Sequence, residues 1–86
     1  MKARQTLAMN LRRLRVERGM SQERIAADSG VDRAYVGGIE RQTENPTIDV
    51  LEKLATAMNV DVGELLVSVV GDEQPATLRA GRKPKS

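Results

Sequence analysis

The stretch SQERIAADSGVDRAYVGGIER, residues 21–41, decides the fold. Two short helical patterns flank a turn in it. Ser21 carries the side-chain acceptor that suits an N-cap. Ile25 and Ala26 give the first helix an inward face, and Gly30 supplies the left-handed residue at which such a helix stops. Asp32 offers a second cap, and Val36 and Ile39 lie one turn apart on the helix that follows. The third helical position after Ser21 is Arg24 rather than Glu, so the reciprocal capping box is incomplete. Helices over about 22–29 and 33–41 joined by a few residues have the geometry of a helix-turn-helix, whose second helix enters the DNA major groove. The same spacing serves an ordinary helical hairpin in a small bundle. Spacing alone does not choose.

Outward from this stretch the apolar residues keep helical spacing. A first helix is predicted from Thr6 to Arg18, with Leu7, Leu11 and Leu14 inward and Gly19 as its left-handed stop. After a loop over 42–46 closed by Asn45-Pro46, Thr47 can cap a fourth helix with apolar positions Ile48, Leu51, Leu54, Ala55 and Met58. Asn59 stands where a left-handed cap residue is expected. Asp61-Val62-Gly63-Glu64 spells a complete capping box and predicts a fifth helix through Leu65 and Leu66. The expectation is an all-α, five-helix domain over residues 1–70, followed by a polar, aperiodic and disordered basic tail over 71–86.

Composition excludes several function classes. There is no cysteine and no histidine, which removes disulfides, thiolate metal sites and the usual general base. No nucleophile–base grouping, phosphate loop or metal-ligand cluster stands out, so neither an enzyme nor a bound cofactor or metal is expected. No apolar run approaches the roughly 20 residues of a membrane span, and Arg12 and Arg13 interrupt the only candidate signal segment. A cytoplasmic protein is the default. The formal net charge of +2 is a poor guide to nucleic acid, because residues 1–70 carry ten bases and ten acids and the excess belongs to the tail. The distribution says more: seven arginines (12, 13, 15, 18, 24, 33, 41) lie within residues 12–41, interleaved with five acids.

At this point the chain becomes recognisable. Leu14-Arg15, Gly19-Met20-Ser21-Gln22, Ile25-Ala26, Gly30-Val31, Val36, Ile39-Glu40, Asn45-Pro46, Leu51, Leu54-Ala55 and Val60-Asp61 give the region from Leu11 to Leu66 a pattern that resembles the Cro/CI-type (XRE) helix-turn-helix regulators. Within that family, DRAYVGGIERQTENPTID looks most like the controller proteins of restriction–modification systems, although single-domain phage and plasmid repressors share much of the pattern. The resemblance implies a homodimer that binds a pseudo-palindromic double-stranded DNA operator and regulates transcription.

It also lets the site residues be named. With Val36 turned to the core, Ile39 and Glu40 fall inward on a helical wheel, while Ala34, Gly37, Gly38 and Arg41 fall outward. Arg33 and Tyr35 flank them at the N-terminal end, where base edges are met. Arg33 can make the bidentate contact to guanine, or remain a solvated arginine. Tyr35 can meet a thymine methyl, sugar or phosphate, or tuck against the second helix. Ala34 offers methyl contact only. Gly37 and Gly38 each cost about 0.5–1 kcal/mol in mid-helix, which suggests that bare backbone approaches the groove. For Gly37, tight helix packing serves equally well. Ser21, Asn45 and Thr47 stand at helix N-termini that attract phosphate, and the resemblance places Gln22 on the DNA backbone. Arg41 is a further candidate phosphate ligand. The resemblance makes Arg15 and Glu40 a structural salt bridge between the first and third helices.

Self-association is assigned to the fifth helix, with Leu65 inward and Val62, Leu66 and Val69 toward the partner, so that two recognition helices lie about one DNA turn, roughly 34 Å, apart. Glu23, Asp28 and Asp32 form an acidic group near the turn that could touch RNA polymerase sigma factor. An antitoxin with a partner-binding tail is the competing class, but residues 71–86 hold only Leu78 as a large apolar anchor.

Overall fold

In the computed structural model, which describes residues 2–68, Lys2–Glu17 (α1), Gln22–Ser29 (α2), Arg33–Glu40 (α3) and Ile48–Met58 (α4) are α-helices, and Val62–Leu65 is a single 3₁₀ turn. α2 packs on α3 and α4, α1 packs on α3, and the 3₁₀ turn bridges α1 and α4. The core is the meeting place of the predicted stripes: Leu7, Leu11 and Leu14 from α1, Ile25 from α2, Val36 and Ile39 from α3, Leu51, Leu54 and Met58 from α4, and Leu65. Each large aliphatic side chain fully buried in this way contributes about 1.5–3 kcal/mol.

The joints between helices are self-contained. Gly19 (φ +66°) closes α1 in a paired motif, with Gly19 N–H on Val16 O (3.0 Å) and Met20 N–H on Arg15 O (2.9 Å). Asn59 (φ +59°) repeats it on α4, with Asn59 N–H on Thr56 O and Val60 N–H on Ala55 O, both at 3.0 Å. α3 ends the same way at Gln42 (φ +66°), where Gln42 N–H reaches Ile39 O (3.0 Å) and Thr43 N–H reaches Gly38 O (2.8 Å). A glutamine in that conformation stores strain that glycine would not. Ser21, Asp32 and Thr47 cap α2, α3 and α4 through their side-chain oxygens, as the sequence predicts.

Four expectations are corrected. α1 begins at Lys2, four residues before the predicted start. Ile48 is not a core residue but 64 % exposed, because it opens α4 on the solvent side. The fifth helix is absent from the described residues: the segment is closed by i→i+3 bonds (Glu64 N–H on Asp61 O, Leu66 N–H on Gly63 O), and Asp61 makes no side-chain cap bond. The reason lies on α1. Asn10, completely buried, donates to Leu65 O (3.0 Å) and Val67 O (2.8 Å) and accepts from Arg13 Nη2 (3.0 Å). Its amide recruits the carbonyls that a continuing helix would direct at its own N–H groups. The fourth correction, at Gly38, belongs to the site.

Leu65 is fully buried and Leu66 is 47 % exposed, in line with the inward and outward assignment. Val62 is half-buried against the core rather than free. Val69, Val70 and the tail over 71–86 lie outside the described residues.

Candidate nucleic-acid interface

The site is built on the two caps and the turn between α2 and α3. The Ser21 hydroxyl accepts from Arg24 N–H (2.9 Å) and fixes where α2 starts. Gly30 (φ +78°) ends it, its N–H on Ala26 O at 2.9 Å, and Ser29 Oγ accepts from Val31 N–H at 3.1 Å. Asp32 then receives the N–H groups of Ala34 (3.0 Å) and Tyr35 (3.3 Å). Val36 and Ile39 are buried, which turns Arg33 and Ala34 to solvent.

A chain of hydrogen bonds links the core to this outer face. Arg15 donates through Nε to Glu40 Oε2 (2.8 Å) and through Nη2 to Glu40 Oε1 (3.1 Å), while its Nη1 reaches Met20 O (2.9 Å). The Arg15–Glu40 pair is thus present between α1 and α3, and the Glu40 side chain is only 7 % exposed. Its hydrogen bond to Glu40 outweighs desolvation and holds the Arg15 guanidinium above its ordinary pKa. Glu40 Oε1 also accepts from Gln22 Nε2 (3.1 Å), and Gln22 Oε1 accepts from Arg33 Nη1 (2.9 Å). A carboxylate can only accept, so Glu40 fixes the amide orientation of Gln22: nitrogen toward the core, oxygen toward Arg33.

Gly38 is where the sequence reading fails, whereas at Gly37 the packing alternative is the one observed. Both are buried by the protein's own side chains. A Cβ on Gly38 would stand 2.5 Å from Glu44 Cγ and 3.2 Å from Thr43 Oγ1, so Gly38 makes room for the loop leaving α3 and is not bare surface. Thr43 Oγ1 also donates to Gly38 O (3.1 Å). At Gly37 the neighbours are the movable tip of Arg41, with Nη1 at 3.1 Å, and Gln22 Oε1 at an ordinary contact distance of 3.6 Å from the Cβ position. The outer face of α3 is therefore Arg33, Ala34 and Arg41, with Gly37 as the floor beneath Arg41.

Tyr35 is half-buried at the edge of the core and lines a shallow groove with Val31 and Val50. Among the described residues its hydroxyl has no hydrogen-bond partner in the protein. Asn45 and Thr47 are exposed at the opening of α4. The hydroxyl oxygens of Ser21 and Thr47 already accept from their own helices, Thr47 from Val50 N–H at 3.1 Å, which leaves each hydroxyl proton to donate outward.

Ion pairing sorts the arginines. Arg13, Arg15, Arg18 and Arg24 are paired with carboxylates. Among the described residues Arg4, Arg12, Arg33 and Arg41 have no carboxylate partner, so two of the four uncompensated guanidiniums sit on the outer face of α3. The acidic group near the turn is largely spent at home: Asp28 pairs with Arg24 (2.8 Å) and Asp32 caps α3. Among the described residues no cluster of acidic side chains could hold a metal ion, and no helix is long and apolar enough to cross a membrane.

Comparison with known proteins agrees with this architecture. A helix-turn-helix family profile matches residues 11–65. The chain is 42 % identical over 64 residues to a Neisseria meningitidis protein described as a hypothetical transcription factor, covering 74 % of this chain but only 60 % of that relative's length. Among solved structures, the restriction–modification controller protein C.AhdI from Aeromonas hydrophila superposes with a TM-score of 0.73 at 42 % identity, over 76 % of this chain and 98 % of that one. The controller protein C.Esp1396I, solved as a tetramer on its natural 35-base-pair operator, superposes with a TM-score of 0.68 at 31 % identity, over 78 % of this chain and 99 % of that one. With the matched span running from the middle of α1 to the 3₁₀ turn, the chain belongs to the XRE-type helix-turn-helix family.

Proposed function

We infer that this protein is a sequence-specific DNA-binding transcriptional regulator of the restriction–modification controller type, acting in the cytoplasm as a homodimer on a pseudo-palindromic operator. One observation carries the reading: the outer face of α3 presents Arg33 and Arg41 without carboxylate partners, beside a helix-turn-helix whose joints are all locally fixed. Arg33 is the principal base reader, its planar fork matched to guanine O6 and N7. Tyr35 and Ala34 supply apolar contact to bases. Ser21, Asn45 and Thr47 meet phosphates at the N-termini of α2 and α4, and Gln22 orients Arg33. Similarity to controller proteins, one of them solved on its operator, supports the assignment.

Dimerisation would use the exposed pair Leu66 and Val67 (47 % and 43 % exposed) more than Val62, which the core already half covers. A sigma-factor contact through Glu23, Asp28 and Asp32 finds less support, since two of these carboxylates are engaged within the protein.

The test is Arg33→Ala against a duplex recovered by the wild-type protein from a randomised pool, with an unrelated duplex alongside. Binding to the recovered duplex should weaken by about 1–3 kcal/mol per contact, and binding to the unrelated duplex should hold. Equal binding of both duplexes by the wild-type protein would sink the reading.

A further inference from the structure

We propose that Arg41 is a second specificity-determining residue, laid back along α3 over the empty side-chain position of Gly37 so that its guanidinium reads bases rather than clamping a phosphate. The inference rests on the DNA-binding reading above. Arg41 follows the last residue of α3, yet its side chain returns by one turn: Nη1 and Cζ lie 3.1 and 4.0 Å from where a Cβ of Gly37 would stand. Helical side chains lean toward the N-terminus, and here that lean has an open place to end. Gln22 Oε1 lies 3.6 Å from the same point and accepts from Arg33 Nη1 at 2.9 Å. The guanidiniums of Arg33 and Arg41 therefore flank one carbonyl oxygen on one face of the helix.

Two simpler roles fit less well. A cation held by the helix dipole would sit at the terminal carbonyls, but this guanidinium folds over the side-chain position of Gly37 and donates to no carbonyl among the described residues. A structural arginine would be paired, but among the described residues the Arg41 side chain has neither an ion-pair nor a hydrogen-bond partner. Glycine in mid-helix is less stable than alanine, and a Cβ there would meet only the tips of Arg41 and Gln22. What the glycine provides is the seat for Arg41.

The experiment uses the full chain, a duplex recovered by the wild-type protein from a randomised pool, and an unrelated duplex. Arg41→Lys keeps the charge and loses the planar fork. It should bind the recovered duplex about ten- to a hundredfold more weakly, and the unrelated duplex within twofold of wild type. Wild-type binding of both duplexes by Arg41→Lys, or an equal loss on both, overturns the proposal in favour of a charge clamp. Gly37→Ala should fold, since its Cβ displaces only the unpaired tip of Arg41, and should weaken binding to the recovered duplex. Most of that loss should vanish in an Arg41→Ala background; a full loss persisting there shows that Gly37 acts on DNA by itself and overturns the seat. Arg33→Ala separates the two readings. Loss of selectivity in Arg33→Ala but not in Arg41→Lys removes this inference alone, whereas loss in neither removes the DNA-reading helix with it.

Discussion

Asn10→Ala is the substitution by which the packing argument stands or falls. The side chain is completely buried and donates to Leu65 O and Val67 O at 3.0 and 2.8 Å. Two neutral hydrogen bonds of this kind contribute about 0.5–1.5 kcal/mol each. Truncation also leaves the Leu65 carbonyl, next to a fully buried side chain, without its partner, at a cost of about 1–3 kcal/mol. The bond from Arg13 is half exposed and adds little. The two costs overlap at the Leu65 carbonyl, so the expected loss is about 2–4 kcal/mol, a large share of the roughly 5–15 kcal/mol by which a domain this size is stable. That corresponds to a fall in Tm of about 10–30 °C. Urea titration followed by far-ultraviolet circular dichroism, with the same m-value for both proteins, measures it. A loss below about 1 kcal/mol would refute the view that Asn10 pins the segment after α4. Asn10→Asp adds a pH signature. At this buried site the two carbonyl oxygens and desolvation raise the folded-state pKa of a carboxyl group more than the half-exposed Arg13 guanidinium on its other oxygen lowers it. Its stability relative to wild type should therefore be best below the unfolded value of about 3.9 and decline as pH rises through the folded value. An unchanged difference between pH 4 and pH 7 contradicts that geometry.

Three other outcomes are expected. Arg15→Lys keeps a charge beside Glu40 but cannot reproduce the two parallel bonds; the loss should be about 2–3 kcal/mol, since Gln22 still donates to Glu40, and a thermal melt measures it. Gln42→Gly relieves a positive φ of 66° at the end of α3 and should raise stability by about 0.5–1 kcal/mol, or a few degrees in Tm; no rise means that the Gln42 side chain makes good its backbone strain. Leu66→Asp places a charge on an exposed apolar residue, so helix content should be unchanged while sedimentation velocity shows a shift toward monomer; a dimer of wild-type strength moves the interface elsewhere.

What could be read from the sequence was local chemistry. Ser21, Asp32 and Thr47 announce helix starts because their oxygens meet N–H groups two or three residues on. Gly19, Gly30 and Asn59 announce stops because few residues tolerate a positive φ. What escaped depends on distant partners. Asp61 and Glu64 satisfy a capping pattern, yet the helix they predict does not extend, because Asn10, 55 residues from Leu65 in the chain, takes up its carbonyls. On a helical wheel Asn10 merely interrupts an apolar stripe. Gln42 gives no stop signal because glutamine rarely turns left-handed; the loop holds it there. The wheel turns both glycines outward and carries no sign of Glu44, Thr43 and Arg41 folding over them. The Arg15–Glu40 pair was legible only through family resemblance, and its continuation to Gln22 and Arg33 was not legible at all.

The single tyrosine has an experimental consequence. With no Trp or Phe in the chain, all intrinsic ultraviolet emission arises from one phenol, and that phenol stands on α3 beside the residues assigned to base reading. Excitation near 275 nm thus interrogates the recognition helix alone, with no background from the hydrophobic interior. Quenching of that signal during titration would follow DNA docking at the helix itself, and a Tyr35→Phe variant would supply the matched blank.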